Sequence, residues 1–251
     1  MRPFRRSFRV IPLIQNYFRQ KSIKIEGALV AFDNYRGQDN KMPEFSRSCL
    51  EALRQPLESG TAVISRVHAH VTYPARFQLI AAMNPCRCGH LADEARACNR
   101  APLCGADYQA KISGPIYDRI DLFVDVPALT AQELSTPASG EPSAVIADRV
   151  LKAQKHQQNR YLQAGAESVR VNAQASGKLL EQTLNLDTDA EALIKKAADA
   201  YQLSARGYHR TLKVARTIAD LEGADRIERH HVAEALSYRR VDARSLIRRS
   251  A

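Results

Sequence analysis

Residues 77–104 read FQLIAAMNPCRCGHLADEARACNRAPLC and hold four of the five cysteines in a chain of 251 residues. The first seven form a near-continuous apolar run of strand length, the pattern of a strand covered on both faces in a parallel sheet. The rest of the segment is rich in Gly, Ala and Arg and has little apolar material with which to order itself. Its thiols are spaced Cys86-x-Cys88, nine residues, Cys98, five residues, Cys104. With no secretory signal in view, a reduced, cytoplasmic setting is expected, where clustered thiols point to a metal rather than to disulfides. Zn²⁺ suits four thiolates at a tetrahedral centre, and four protein ligands would close the site, making it structural and not catalytic. Arg87, Arg96 and Arg100 would offset the surplus negative charge. C-x-C is less usual than C-x-x-C, so His90 could replace one cysteine, and small buried thiols packed in a loop are the plainer alternative. Cys49 reads as core.

The formal net charge of +10 favours an anionic partner such as nucleic acid or nucleotide without implying sequence specificity. No run of about eighteen apolar residues occurs, so no membrane span is expected. The first 41 residues are mixed apolar and basic without sustained period: residues 1–21 carry six basic groups and no acid. That composition fits a transit peptide, a nucleic-acid-binding arm, or a start foreign to the rest of the fold. IEGALVAF reads as a short buried strand.

From Phe45 the pattern is helical, with Leu50, Leu53 and Leu57 on one face and Pro56 bending or ending the helix. TAVISRVHAHVTYPARF reads as a hairpin. A helix interrupted at Gly114-Pro115, a turn with Asp118 and Arg119, and a last strand over Ile120 to Val126 are expected next. A Ser/Pro/Gly-rich linker occupies 131–142. Beyond it the pattern is helical throughout: Ser143 to Leu162, then a stripe of Leu193, Ala197 and Tyr201 with Thr188 and Glu191 in capping-box spacing, then Tyr208, Leu212, Ala215 and Ala219, then ERHHVAEALSYRR. The expected division is an atypical basic segment (1–41), an α/β part (42–130), a linker (131–142) and a helical part (143–251).

Four blocks, MPEFSRSCLEALRQPLESGTAVISR, PARFQLIAAMNPCRCG, KISGPIYDRIDLFVDVP and LSARGYHRTLKVARTIADLEGADRIERHHVAEALSYRR, together resemble the ComM/YifB branch of the magnesium-chelatase-like AAA+ ATPases over about residues 42–245. The resemblance implies a partial AAA+ core, with an incomplete parallel sheet and helices, followed by an all-helical lid. It also implies ring-forming ATPase subunits using ATP and Mg²⁺, and for this branch DNA branch migration during natural transformation. Asn84 matches sensor 1, the polar residue at a strand end that positions the attacking water; an amide both donates and accepts, which suits that task. Alone, Asn84-Pro85 would be read as a turn. Arg119 matches the arginine finger, which would neutralise a neighbouring subunit's γ-phosphate. Its plainer reading is an ion pair with Asp118 or Asp121. Arg206 matches sensor 2, with Arg210 one turn on as the alternative.

Two parts of the family pattern are missing. No G-x-x-x-x-G-K-[ST] loop occurs; Gly177-Lys178 has Asn172 and Leu179 in place of the first Gly and the hydroxyl, and it lies in the helical part. Where the family has the Asp-Glu of Walker B, this chain has Asn40 and Lys41, and Asp33 is not read as a remnant. The expectation is a C-terminal portion of such an ATPase behind a truncated or rearranged start, unable to hydrolyse ATP alone. The alternatives are a subunit that donates Arg119 to an intact partner, and a zinc-stabilised nucleic-acid-binding module.

Overall fold

The computed structural model describes residues 29–31, 41–66, 69–91, 95–126, 135 and 140–239. Most of the basic N-terminal segment, most of the linker and the basic C-terminal tail lie outside them. The described residues divide into two compact units, with the boundary between Arg119 and Ile120.

The first unit is α/β. Strand β1 (Leu29–Ala31) pairs in parallel with the later strand β4 (Gln78–Ile80), in the register Leu29↔Gln78, Val30↔Leu79 and Ala31↔Ile80. A 3₁₀ turn, Met42–Glu44, continues this edge through the Met42 N–H to Ala82 C=O bond of 2.9 Å. Helices α1 (Arg47–Ala52) and α2 (Arg54–Ser59) come next, α1 capped by the Ser46 hydroxyl. The single helix expected here is split at Leu53, ahead of Pro56. A proline nitrogen cannot donate and its ring crowds the carbonyl four residues back, at Ala52, so the chain re-starts there with Pro56 inside the first turn of α2. Gly60 ends α2 at φ +67 and turns into the expected hairpin, β2 (Thr61–Arg66) and β3 (Ala69–Pro74).

β4 corrects the reading of a strand covered on both faces: three residues are extended, and Gln78 and Ile80 are exposed. Two short helices close the unit, α3 (Leu103–Gln109) and α4 (Gly114–Tyr117), the latter with Pro115 in its first turn. Its apolar interior forms two clusters: Cys49 and Leu53 with Tyr73, Phe77 and Leu79, and Met42, Leu50, Ile112 and Ile116 with Met83 and Tyr117. Cys49 is core, as its helical position required.

The second unit is helical. Residues 120–126 form no strand; their hydrogen bonds go to the helical unit, Phe123 N–H to Tyr238 C=O at 2.8 Å and Arg239 Nη1 to Ile120 C=O at 3.0 Å. Helices α5 (Ser143–Gln163), α6 (Gly177–Leu184), α7 (Thr188–Tyr201), α8 (Ala205–Glu222) and α9 (Arg229–Ser237) surround one core of Tyr161, Leu180, Leu184, Ile194, Leu212, Ala215, Ala219, Ile227 and Val232. α7 is capped by Asp187, whose carboxylate accepts the Ala190 N–H at 2.6 Å, so the cap sits one residue before the expected Thr188. Tyr201, placed on its buried stripe by spacing alone, is exposed. Among the described residues no helix is long and apolar enough to cross a membrane.

Candidate functional site

The chain leaves β4 at Ile80 and reaches Asn84 half-buried, immediately ahead of the first cysteine turn. That turn closes through Gly89 N–H to Cys86 C=O at 3.2 Å, with Gly89 at φ +83. A Cβ on Gly89 would stand 3.7 Å from the Asn84 amide nitrogen, so Asn84 and the thiol loop are local neighbours. A second turn, Ala101 N–H to Cys98 C=O at 2.9 Å, leads into α3, which carries Cys104 in its first turn.

The thiols converge. Cys86, Cys88 and Cys104 place their Sγ atoms within 4.8 Å of one another, and Cys86 and Cys88 are 3.0 Å apart. Cys98, the fourth thiol expected here, is not part of that converging set of three, although it lies near enough to Cys88 and Cys104 to shift both thiols. The Cys88 thiol is drawn down to about 6, first by its bond with Cys86 and then by the His90 backbone N–H. Cys104 is pushed up to about 12, first by its bond with Cys98. A Zn–S bond of about 2.3 Å implies sulfurs about 3.8 Å apart around a tetrahedral ion, so the donor set fits a thiolate-preferring metal. The exposed His90 contributes its backbone amide rather than its ring to this cluster. Beneath the loop, Gly105 is buried where a Cβ would meet Leu91 at 2.7 Å, and Gln109 Nε2 donates to Pro85 C=O at 3.0 Å. Tyr108, buried and donating to Glu44 at 3.2 Å, is pushed up to about 12 chiefly by burial.

Arg119 is in the same unit but turned inward. Its side chain is 6% exposed, with Nε donating to Arg54 C=O at 3.1 Å, Nη1 to Pro115 C=O at 2.5 Å and Nη2 to the Glu58 carboxylate. The acid is therefore Glu58, about sixty residues back, and not the adjacent Asp118 or Asp121. Arg206 is exposed in the first turn of α8, in the second unit, where the Ser204 hydroxyl accepts the Gly207 N–H at 3.0 Å. Arg210 is held by Asp121, which leaves Arg206 as the more exposed of the two sensor-2 candidates. Of the Walker B positions, Lys41 is half-buried and Asn40 lies outside the described residues.

Two clusters escaped the sequence reading. Asp220, fully buried, accepts from Arg160, Arg216 and Asn172, and Asn172 also accepts from the Tyr161 hydroxyl at 2.8 Å. Glu222, His230 and His231 bring three ligand-type atoms together, His231 Nε2 lying 2.5 Å and His230 Nε2 2.9 Å from Glu222. This second set is not a metal site on its own chemistry. His231 Nδ1 accepts the Glu228 N–H at 2.9 Å, so its neutral ring carries the proton on Nε2, where a metal would need a lone pair.

Comparison with known proteins bears on both units. The magnesium chelatase subunit ChlI family matches residues 39–134, and the ChlI C-terminal family matches 140–239. The chain belongs to the magnesium chelatase family. The competence protein ComM of Haemophilus influenzae is 43% identical over 201 residues, which is 80% of this chain and 38% of that protein. The YifB proteins of Salmonella typhimurium and Escherichia coli are 42% and 39% identical over 204 residues, covering 81% of this chain and 38% of theirs. The chain thus spans about two fifths of the length of these relatives. Its fold is a partial AAA+ α/β core followed by an all-helical unit.

Proposed function

We propose that these residues complete a nucleoside-triphosphate pocket rather than form one, within an assembly of magnesium-chelatase-like AAA+ subunits serving competence-linked DNA processing. What supports this reading is the family resemblance: Asn84, Arg119 and Arg206 match the three positions that pattern uses to sense and neutralise a bound triphosphate, and the 251 residues include no G-x-x-x-x-G-K-[ST] loop. Asn84, half-buried four residues past the end of β4, has an amide suited to orienting water toward a phosphate. Arg119 is the candidate for a neighbour's pocket, and Arg206 for the lid side of the nucleotide. Cys86, Cys88 and Cys104, whose sulfurs converge, would hold Zn²⁺ with Cys98 as the fourth ligand expected from the spacing, and the bound ion would supply order to a loop with little core of its own. That loop begins two residues past Asn84, so its order bears on the placement of the amide.

The test mixes the purified chain with full-length Haemophilus influenzae ComM and follows ATP turnover. The chain alone should show none. The wild-type chain should change the partner's rate, and Arg119→Ala should lose that effect. Magnesium-dependent turnover by the isolated chain would overturn the reading.

A second reading draws on the net charge and on the exposed Arg87, Arg96 and Arg100 around the thiol loop: a zinc-ordered module that binds nucleic acid. Phosphate contacts release counterions, so its DNA affinity should fall steeply with salt. An affinity indifferent to salt would remove it.

A further inference from the structure

We propose that Glu58 is a latch that keeps Arg119 in an internal ion pair, and that Arg119 reaches a partner's nucleotide only when this pair opens. The inference rests on the proposed trans-acting role of Arg119. Three acceptors surround the guanidinium, and they differ in kind. The carbonyls of Arg54 and Pro115 are neutral and fix its orientation from α2 and from the start of α4. Glu58, from the last turn of α2, is the anion among them.

The two charged partners are not equally enclosed. Arg119 is 6% exposed at its side chain, whereas Glu58 is 43% exposed. A buried guanidinium without an anion is costly, so the arginine does not leave Glu58 for solvent readily. Another oxyanion presented from outside can take the carboxylate's place, because the exchange leaves the guanidinium paired throughout. A phosphate group carries more charge than a carboxylate and accepts the same fork. The Arg216–Asp220 pair differs in enclosure, since both of its charges are withdrawn from water.

A latch and a keystone predict opposite signs. If the competent state is one in which Arg119 is out, its population limits the apparent affinity for the partner, and removing the latch raises that population. Glu58→Gln should therefore lower, several-fold, the concentration of chain giving half-maximal stimulation of ComM ATP turnover, with the maximum unchanged. Glu58→Asp should stay near wild type. Phenylglyoxal labelling read by peptide mass spectrometry should show Arg119 protected in wild type and several-fold more reactive in Glu58→Gln but not in Glu58→Asp.

Stimulation reduced by Glu58→Gln while Arg119→Ala abolishes it would overturn the latch and leave the trans-acting role intact. If neither wild type nor Arg119→Ala affects ComM, the trans-acting role fails, and the labelling alone decides whether Glu58 gates the arginine. Unchanged labelling in Glu58→Gln would end the proposal either way.

Discussion

Asp220 shows how much of this molecule is decided by single buried charges. Its carboxylate has no exposed surface and accepts hydrogen bonds from two arginines and Asn172. Arg216, itself buried, spends its other nitrogens on the carbonyls of Ala224 and Asp225. Removing the carboxylate would strand Arg216 without a counter-charge, so Asp220→Ala should destabilise the helical unit by about 3–5 kcal/mol in urea titrations. The Arg216–Asp220 spacing is visible in the sequence as a helical i,i+4 pair. The partners are not: Asn172 and Arg160 lie 48 and 60 residues away, and no local pattern announces them. Glu58 and Arg119 were hidden for the same reason, since sequence neighbourhood favours Asp118 or Asp121. The exposed Glu222–His230 pair at the α8–α9 junction gives a pH signature. His230 is held above its ordinary 6.5 first by its bond to Glu222, with Glu228 and Glu234 adding to the effect, and Glu222 is held below 4.5 first by His230 and then by His231. A raised histidine stabilises the fold fully below about pH 6.5 and loses that contribution as pH rises through its folded value; a depressed carboxylate contributes above 4.5 and loses it as pH falls. The pair therefore contributes most between these limits. NMR titration should place the His230 midpoint above 6.5, and Glu222→Gln should bring it back toward that value.

At the scale of elements, the legible parts were those that bury one continuous face. α8 and α9 formed over their expected stripes because their apolar positions recur at helical spacing and enter a single core. α5 matches its expected bounds closely, yet Val145, Ile146, Val150, Leu151 and Leu162 are exposed and its Tyr161 enters that core. The misread elements are those in which a tertiary partner replaced a local one. Residues 120–126 have the alternation of a strand, but the Phe123 N–H and the Ile120 carbonyl bond to Tyr238 and Arg239 instead of a neighbouring strand, and Leu122, Val124 and Val126 stay exposed. The start of α7 was ambiguous for another reason: Asp187 and Thr188 are both good caps, and Thr188-x-x-Glu191 matched a capping box by spacing. The backbone chose Asp187, extended at ψ 169, with its carboxylate on Ala190. Asp187→Ala should cost about 1 kcal/mol of stability, while Thr188→Ala should cost only a few tenths, measured by thermal denaturation of the two variants side by side. Equal losses would return the cap to Thr188.

For the whole chain, the two units should differ in what holds them. The helical unit has a contiguous core drawn from five helices and a satisfied polar network beneath it. Among the described residues, the α/β unit has two small apolar clusters, a three-residue parallel pair and a two-stranded hairpin. Such short pairings are marginal on their own. The thiol loop closes this unit between β4 and α3, so a metal there would tie together segments that little apolar contact binds. Chelation should act on one unit and spare the other, because metal binding to a site that requires the fold contributes directly to folding. Zinc analysis of the protein purified without added metal should find about one equivalent per chain, and Cys86→Ser should abolish most of it. Limited proteolysis with a strong chelator should then cut first between residues 86 and 104 and release a resistant fragment covering about 140–239, whereas the metal-loaded protein should resist cleavage in the loop. A loop equally protected with and without chelator would mean that thiol packing alone orders it. In that case Asn84 would owe its position to Gly105, Leu91 and the Gln109–Pro85 bond, and no metal would be needed to seat it.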